Sequence, residues 1–163
     1  MSALHLSILE TRTLWWPTEA ACAASAQALA QRPGLLNAFI ELHGPLGAGK
    51  TTFARHLLRA LGVSGHVKSP TYAVLEPYEL AGTKGPINLW HFDFYRFDDP
   101  QEWEDAGFRD LFASRGLKLA EWPQKAEGLL PQADLRISIE PDAAEQRSVR
   151  IDALTARGVG LLP

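Results

Sequence analysis

An α/β fold, a mixed β-sheet flanked by helices within a single domain spanning residues 1–163, is predicted by three observations. Short apolar runs of strand length alternate with helix-length segments. One strand-to-helix joint, Gly44-Pro45-Leu46-Gly47-Ala48-Gly49-Lys50-Thr51, is an unbroken G-x-x-x-x-G-K-[ST] phosphate-binding loop. The last third carries two alternating runs separated by a short polar linker, the pattern of a C-terminal antiparallel hairpin. At 163 residues, 46% hydrophobic and 21% charged, the chain is long enough to bury one core without staples.

Taken in order, Leu4-His5-Leu6-Ser7-Ile8 alternates as a half-buried strand does. Thr18 is placed to cap an Ala-rich helix through about Gln31, stopped by Pro33-Gly34. Residues 35–43 (LLNAFIELH) read as a buried strand, and residues 50–61 as a helix that Gly62 closes. Beyond a loop over 62–70, residues 71–76 read as a strand. Pro77 has no N–H to give to a ladder, which puts that strand near an edge. Residues 82–86 make a turn and 87–93 the next strand. Asp99-Pro100 is a cap followed by proline at the first helical position, starting a short acidic helix. Residues 117–121 are a further strand, and 135–139 pairs with 149–151 across the linker 141–146. The assembly is a P-loop NTPase-like domain.

The loop's chemistry follows from its residue types. Its glycines let successive backbone N–H groups turn inward around an anion at the positive end of a helix. Lys50 reaches toward β- and γ-phosphates, and the Thr51 hydroxyl suits a Mg²⁺ shell. Hydrolysis also needs a carboxylate at the carboxyl end of a neighbouring strand. Asp93 and Glu121 both sit there, and spacing alone leaves the choice between them open. Ser69-Pro70-Thr71-Tyr72 is a proline-stiffened pair of hydroxyls, which reads as a strand-entrance turn and also suits a phosphate sensor. The five histidines show no paired metal-ligand spacing; His91 shares a strand face with Asp93 and reads first as a core histidine. Trp15, Trp16, Trp90 and Trp103 read as packing aromatics, whereas Trp122, beside Glu121, can wall a nucleotide site.

The bulk numbers exclude several classes. Cys22 is the one cysteine, so there is no disulfide framework and no thiolate cluster; it reads as a small buried residue on a helix. Glu10, Arg12, Trp15, Trp16 and Pro17 interrupt any signal-peptide core, and no run approaches 18 apolar residues, so the cytosol is the expected compartment, with no membrane contact. The net charge of −3 with scattered basic residues gives no phosphate-tracking stripe, so any link to nucleic acid runs through partners.

Four segments, GPLGAGKTT (44–52), KSPTY (68–72), HFDFYR (91–96) and EWP (121–123), stand in the order and spacing of the bacterial TsaE family. That family comprises small P-loop ATPases of tRNA threonylcarbamoyladenosine (t6A) biosynthesis, and the resemblance covers nearly the whole chain. It implies ATP as nucleotide, held by Gly44, Gly47, Ala48, Gly49, Lys50, Thr51 and Thr52, with Trp122 as a neighbour. It assigns Mg²⁺ to Thr51 and Glu121, makes Asp93 and Lys50 the hydrolytic residues, and marks Ser69 and Thr71 as a switch-like element. It implies TsaD and TsaB as partners, tRNA being reached only through that complex, and a weak ATPase that resets the transferase between turnovers. Pro45 replaces a frequent aspartate, and Cys22 stands where many relatives have threonine near the base.

Two other readings compete. A small-molecule P-loop kinase needs an Arg-rich lid, and the arginines here are dispersed. A nucleotide-gated binding module with little turnover uses the same residues. A GTPase is set aside because no N-K-x-D element is present.

Overall fold

The computed structural model describes residues 7–65, 67 and 74–163. Strands β1 (Glu10–Trp16), β2 (Phe39–His43), β3 (Leu75–Gly82), β4 (Gly85–Asp93), β5 (Leu117–Glu121), β6 (Leu135–Pro141) and β7 (Arg147–Ala153) form one sheet in the order β1-β7-β6-β2-β5-β4-β3. The centre is parallel: β2 pairs with β5 and β6, and β4 with β5. Antiparallel pairs close both margins, β3 on β4 at one side and β6-β7-β1 at the other. The helices are α1 (Glu19–Ala30), α2 (Lys50–Ala60), α3 (Pro100–Asp105), α4 (Phe108–Ala113) and α5 (Ala156–Leu161).

Strand alternation divides the core between two faces. Ile40 and Leu42 of β2, Leu89 of β4, and Leu117 and Leu119 of β5 pack with Phe53, Leu57 and Leu58 of α2. Their neighbours Phe39, Phe92 and Ala120 face a second cluster with Phe94, Phe97, Trp103 and Phe108. Phe92 stacks on Phe112 with ring centroids 4.8 Å apart and meets Phe108 edge-on at 5.3 Å. β5 is buried along its whole length, so it sits mid-sheet and delivers its last side chain, Glu121, to the α2 face. Lys118 of the same strand is 4% exposed; its ammonium donates to the Ser114 carbonyl and lies 5.3 Å from the Trp90 ring centroid.

Several sequence expectations hold. Thr18 caps α1, its hydroxyl accepting the Ala21 N–H at 3.2 Å. α2 ends as expected at Gly62: the Gly62 N–H reaches the Arg59 carbonyl and the Val63 N–H the Leu58 carbonyl, both at 3.0 Å. Asp99 caps α3, β5 covers residues 117–121, and β6 and β7 form the expected hairpin. Pro77 lies in β3, which is an edge strand.

Others are corrected. Residues 7 and 8 are not strand; the first strand is Glu10–Trp16, and the remainder of the predicted 4–8 strand lies outside the described residues. Its polar ETRT stretch is strand because every residue from Glu10 to Trp16 finds a partner on β7. Leu35–Asn37 is a 3₁₀ turn rather than strand, its Asn37 and Ala38 N–H groups closing on the Gly34 and Leu35 carbonyls. Residues 71–73 of the next predicted strand lie outside the described residues, and β3 runs on through Pro77 to Gly82. The proline is tolerated because β3 has, among the described residues, a partner strand on one side only. The acidic segment holds two short helices parted at Ala106-Gly107, and α5 was not anticipated.

Asp134 fixes where β2 starts, and so where the loop after it emerges. Its carboxylate, in a residue 8% exposed, accepts the Phe39 N–H at 2.8 Å and the Thr155 hydroxyl at 2.6 Å. Asp134→Ala strands both donors and is expected to cost about 3 kcal/mol, lowering the melting temperature by about 10 °C. A melt within about 2 °C of the parent would contradict this anchoring role.

Candidate functional site

The loop between β2 and α2 is shaped by what lies under it. Gly44 presses on β6: a Cβ there would stand 2.5 Å from the Ile139 carbonyl oxygen. Gly49 precedes α2 with φ +109°, a backbone that L side chains rarely adopt. Within the loop, the Ala48 N–H donates to the Pro45 carbonyl at 3.0 Å and the Phe53 N–H to the Gly49 carbonyl at 2.9 Å. The N–H groups of Gly47, Gly49, Lys50, Thr51 and Thr52 find no acceptor among the described residues. Five backbone donors at the positive end of an 11-residue helix are chemically able to cradle an anion.

Lys50 closes one side of it. Its ammonium donates to the Gly44 carbonyl and, at 3.4 Å, to that of Pro45, and lies 3.7 Å from the Trp122 ring centroid. Trp122 directly follows β5 with a left-handed backbone, φ +55° and ψ 45°, an uncommon state for a bulky residue. That turn lays the indole beside Lys50, and the Tyr95 ring centroid lies 5.0 Å from that of Trp122. Burial lowers the Lys50 pKa, against the pull of Glu121 and Asp93 in the opposite sense.

The carboxylates come from the ends of adjacent parallel strands, where Asp93 and Glu121 stand in register. The Thr51 hydroxyl shares its proton between both Glu121 oxygens, at 2.8 and 2.9 Å. His91 Nε2 lies 2.6 Å from Glu121 Oε2, and since a carboxylate accepts, Nε2 carries the hydrogen. His91 is fully buried, as a core histidine would be, yet its partner is Glu121, not Asp93 as its strand face first suggests. Asp93 is half-buried and accepts the Tyr95 N–H at 3.0 Å. Burial raises its pKa; the Tyr95 N–H opposes this, Glu121 adds to it, and His91 and Lys50 draw it back.

The structure therefore gathers Gly44, Gly47, Ala48, Gly49, Lys50, Thr51, Thr52, Asp93, Glu121 and Trp122 around one loop. Ser69 and Thr71 lie outside the described residues. Among the described residues no set of three or more His, Cys, Asp or Glu side chains can hold a metal ion unaided. No helix there is long and apolar enough to cross a membrane. Beside the loop, a recess of about 120 Å³ is lined by Thr18, Glu19, Cys22, Gly49, Thr52 and Arg147. Arg147 had no sequence signal, being one arginine among dispersed ones in a hairpin. The His91–Glu121 bond was half visible, because residues 91 and 93 share a face but cross-strand register is not read from one chain segment.

The family model for "Threonylcarbamoyl adenosine biosynthesis protein TsaE" matches residues 16–149. The chain belongs to the TsaE family. It is 42% identical over 125 residues to the tRNA threonylcarbamoyladenosine biosynthesis protein TsaE of Haemophilus influenzae, covering 76% of this chain and 75% of that protein. The Bacillus subtilis TsaE is 35% identical over 141 residues, covering 86% and 84%. Among solved structures, the fold is similar to the crystal structure of Bacillus subtilis YdiB, with a TM-score of 0.74, 26% identity and coverage of 93% and 91%. Family membership carries the t6A pathway with it; the loop geometry stands independently of it.

Cys22 offers a probe of the recess. Burial pushes its thiol from 9.0 up to about 11, Arg147 lowering it and Glu19 raising it further. A raised acid pKa means the native state resists ionisation, so stability is retained below pH 9.0 and falls as pH climbs toward about 11. Alkylation by iodoacetamide at pH 8.5 is expected to be slow in native protein and fast in urea, rising in the native state only near pH 11. Equal rates in the two states at pH 8.5 would contradict this.

Proposed function

We propose that this chain is a Mg²⁺-dependent ATPase of the cytosol that serves t6A modification of tRNA by acting on the TsaD–TsaB transferase complex. The observation that carries the reading is the set of five unpaired loop N–H groups standing beside Lys50 and the Thr51–Glu121 pair. A cradle of that kind suits a phosphate chain. The donor set also suits Mg²⁺, which keeps octahedral geometry with oxygen ligands at about 2.0–2.1 Å, so that neighbouring ligands lie about 2.9 Å apart. The Thr51 and Glu121 oxygens already stand 2.8 to 2.9 Å apart. Bound there with ATP, the ion would draw charge from the β- and γ-phosphates.

Each residue then has a part. The loop amides and Lys50 hold the phosphates, and Trp122 fixes the Lys50 stem and ammonium from the open side. His91 holds the Glu121 carboxylate in one orientation. Asp93, one strand over and raised in pKa by burial, orients the water that attacks the γ-phosphorus as the bond to the β-phosphate oxygen breaks. ATP and water give ADP and phosphate. The net charge of −3 agrees with a protein that meets tRNA through its partners.

Phosphate release measured with purified protein, alone and with TsaD and TsaB, tests this reading. Release is expected to be weak alone and to rise with the partners. Asp93→Ala should lower the stimulated rate roughly 100-fold, while Thr51→Ala should raise the Mg²⁺ requirement at least about tenfold. Unstimulated release, or an Asp93→Ala variant as active as the parent, would defeat the proposal. Phosphate appearing on a small metabolite would turn it toward a kinase.

A further inference from the structure

The hairpin β6-β7 reaches back to the loop through the Arg147 side chain. Arg147 opens β7 two residues after Glu145, whose backbone is left-handed at φ +61°. The turn is held by Asp142, whose carboxylate accepts the Ala144 and Gln146 N–H groups at 2.9 and 3.0 Å. From this fixed base the Arg147 guanidinium donates through Nη1 to the Glu145 carbonyl at 3.0 Å, and through Nε to the Ala48 carbonyl at 2.6 Å. It lies over Gly49 so closely that a Cβ there would stand 3.1 Å from Nε.

The Ala48 carbonyl has two possible partners. In an ordinary helical continuation it would accept the Thr52 N–H, four residues on. That bond is absent, and the Thr52 N–H belongs to the unpaired set of the cradle. Left without Arg147, the carbonyl would either turn back to Thr52 and consume that donor, or present a bare lone pair beside the phosphate chain. A charge-assisted hydrogen bond from a planar guanidinium holds it away from both.

We propose that Arg147 is a positioning residue of the nucleotide site, a latch that keeps the Ala48 carbonyl turned outward and the loop amides free for phosphate. The inference rests on the ATP reading above, and it concerns the loop rather than the nucleoside. Loss of the latch therefore weakens every ligand that uses the loop, in equal measure, with or without a base and sugar.

The test compares the parent with Arg147→Met, which keeps the stem and removes the donors, and with Arg147→Lys, which returns one cationic donor. Arg150→Gln, on an arginine paired with Asp152, is the control for lost charge. Dissociation constants are measured for Mg-ATP and for Mg-tripolyphosphate, alongside KM and kcat for phosphate release. Arg147→Met is expected to bind both ligands about tenfold more weakly, to raise KM by a similar factor, and to keep kcat at saturation within about twofold. Arg147→Lys should recover most of the loss, and Arg150→Gln should match the parent. Where Arg147→Met does not fold, Arg147→Leu, which also lacks a donor, is read in the same way.

Parent-like affinities in Arg147→Met overturn the latch while leaving the ATP reading intact. So does a loss confined to ATP, which would place Arg147 on the nucleoside, and so does an equal loss in Arg150→Gln. A parent protein that binds neither ligand overturns the ATP reading and the latch together.

Discussion

A carboxylate buried to 2% exposure governs the architecture of this site. Glu121 has few ways to be accommodated in the sheet, because an unsatisfied buried carboxylate costs several kcal/mol. Its oxygens are met by the Thr51 hydroxyl from α2 and by His91 from β4. Those contacts need three elements in one register. Slipping β5 by one residue would carry Glu121 to the aromatic face and bring Ala120 beneath α2. The hydrophobic alternation of LKLAE, with Leu117 and Leu119 on the α2 face, forbids that slip.

The aromatic face has a supporting role. Phe92 and Phe94 bracket Asp93 in sequence and are both fully buried, fixed among Phe97, Trp103, Phe108 and Phe112. The backbone at Asp93 is thereby held from both sides, and its N–H is given to the Val74 carbonyl at 2.8 Å. A half-buried acid raised in pKa is tolerated at this point because the packing around it determines the backbone independently. The left-handed Trp122 follows the same logic, strain in one residue being held by Pro123 and Ala126, both buried, in the turn behind it.

Much of this was legible in sequence wherever a local rule sets the outcome. The glycine loop, the caps at Thr18 and Asp99, the stop at Gly62 and the 117–121 strand each follow from residues close together along the chain. What escaped depends on distant partners. β1 is strand because β7 lies beside it, although Glu10, Thr11 and Arg12 carry no apolar alternation. Residues 35–37 look apolar enough for a strand, yet the tight turn after Gly34 wins locally. The choice between Asp93 and Glu121 is likewise a question of register and depth: the two are paired across strands, and only Glu121 touches Thr51.

The glycine loop is held between two halves of the sheet that differ in chemistry. On the β4-β5 side, α2 donates a hydroxyl hydrogen to a carboxylate; on the β6-β7 side, the loop offers a carbonyl to a guanidinium. The two bonds have opposite polarity and sit at residues 48 and 51, on either side of Gly49, whose backbone is the most permissive in that stretch. Movement of the loop toward either half stretches the bond to the other, so its position is set by both. A glycine loop is soft by nature, and here the bonds to Glu121 and Arg147 add outside restraints to those that Lys50 and Ala48 make within it. That explains why a motif so easily read in sequence still depends, for its working shape, on a strand and a hairpin that lie far from it along the chain.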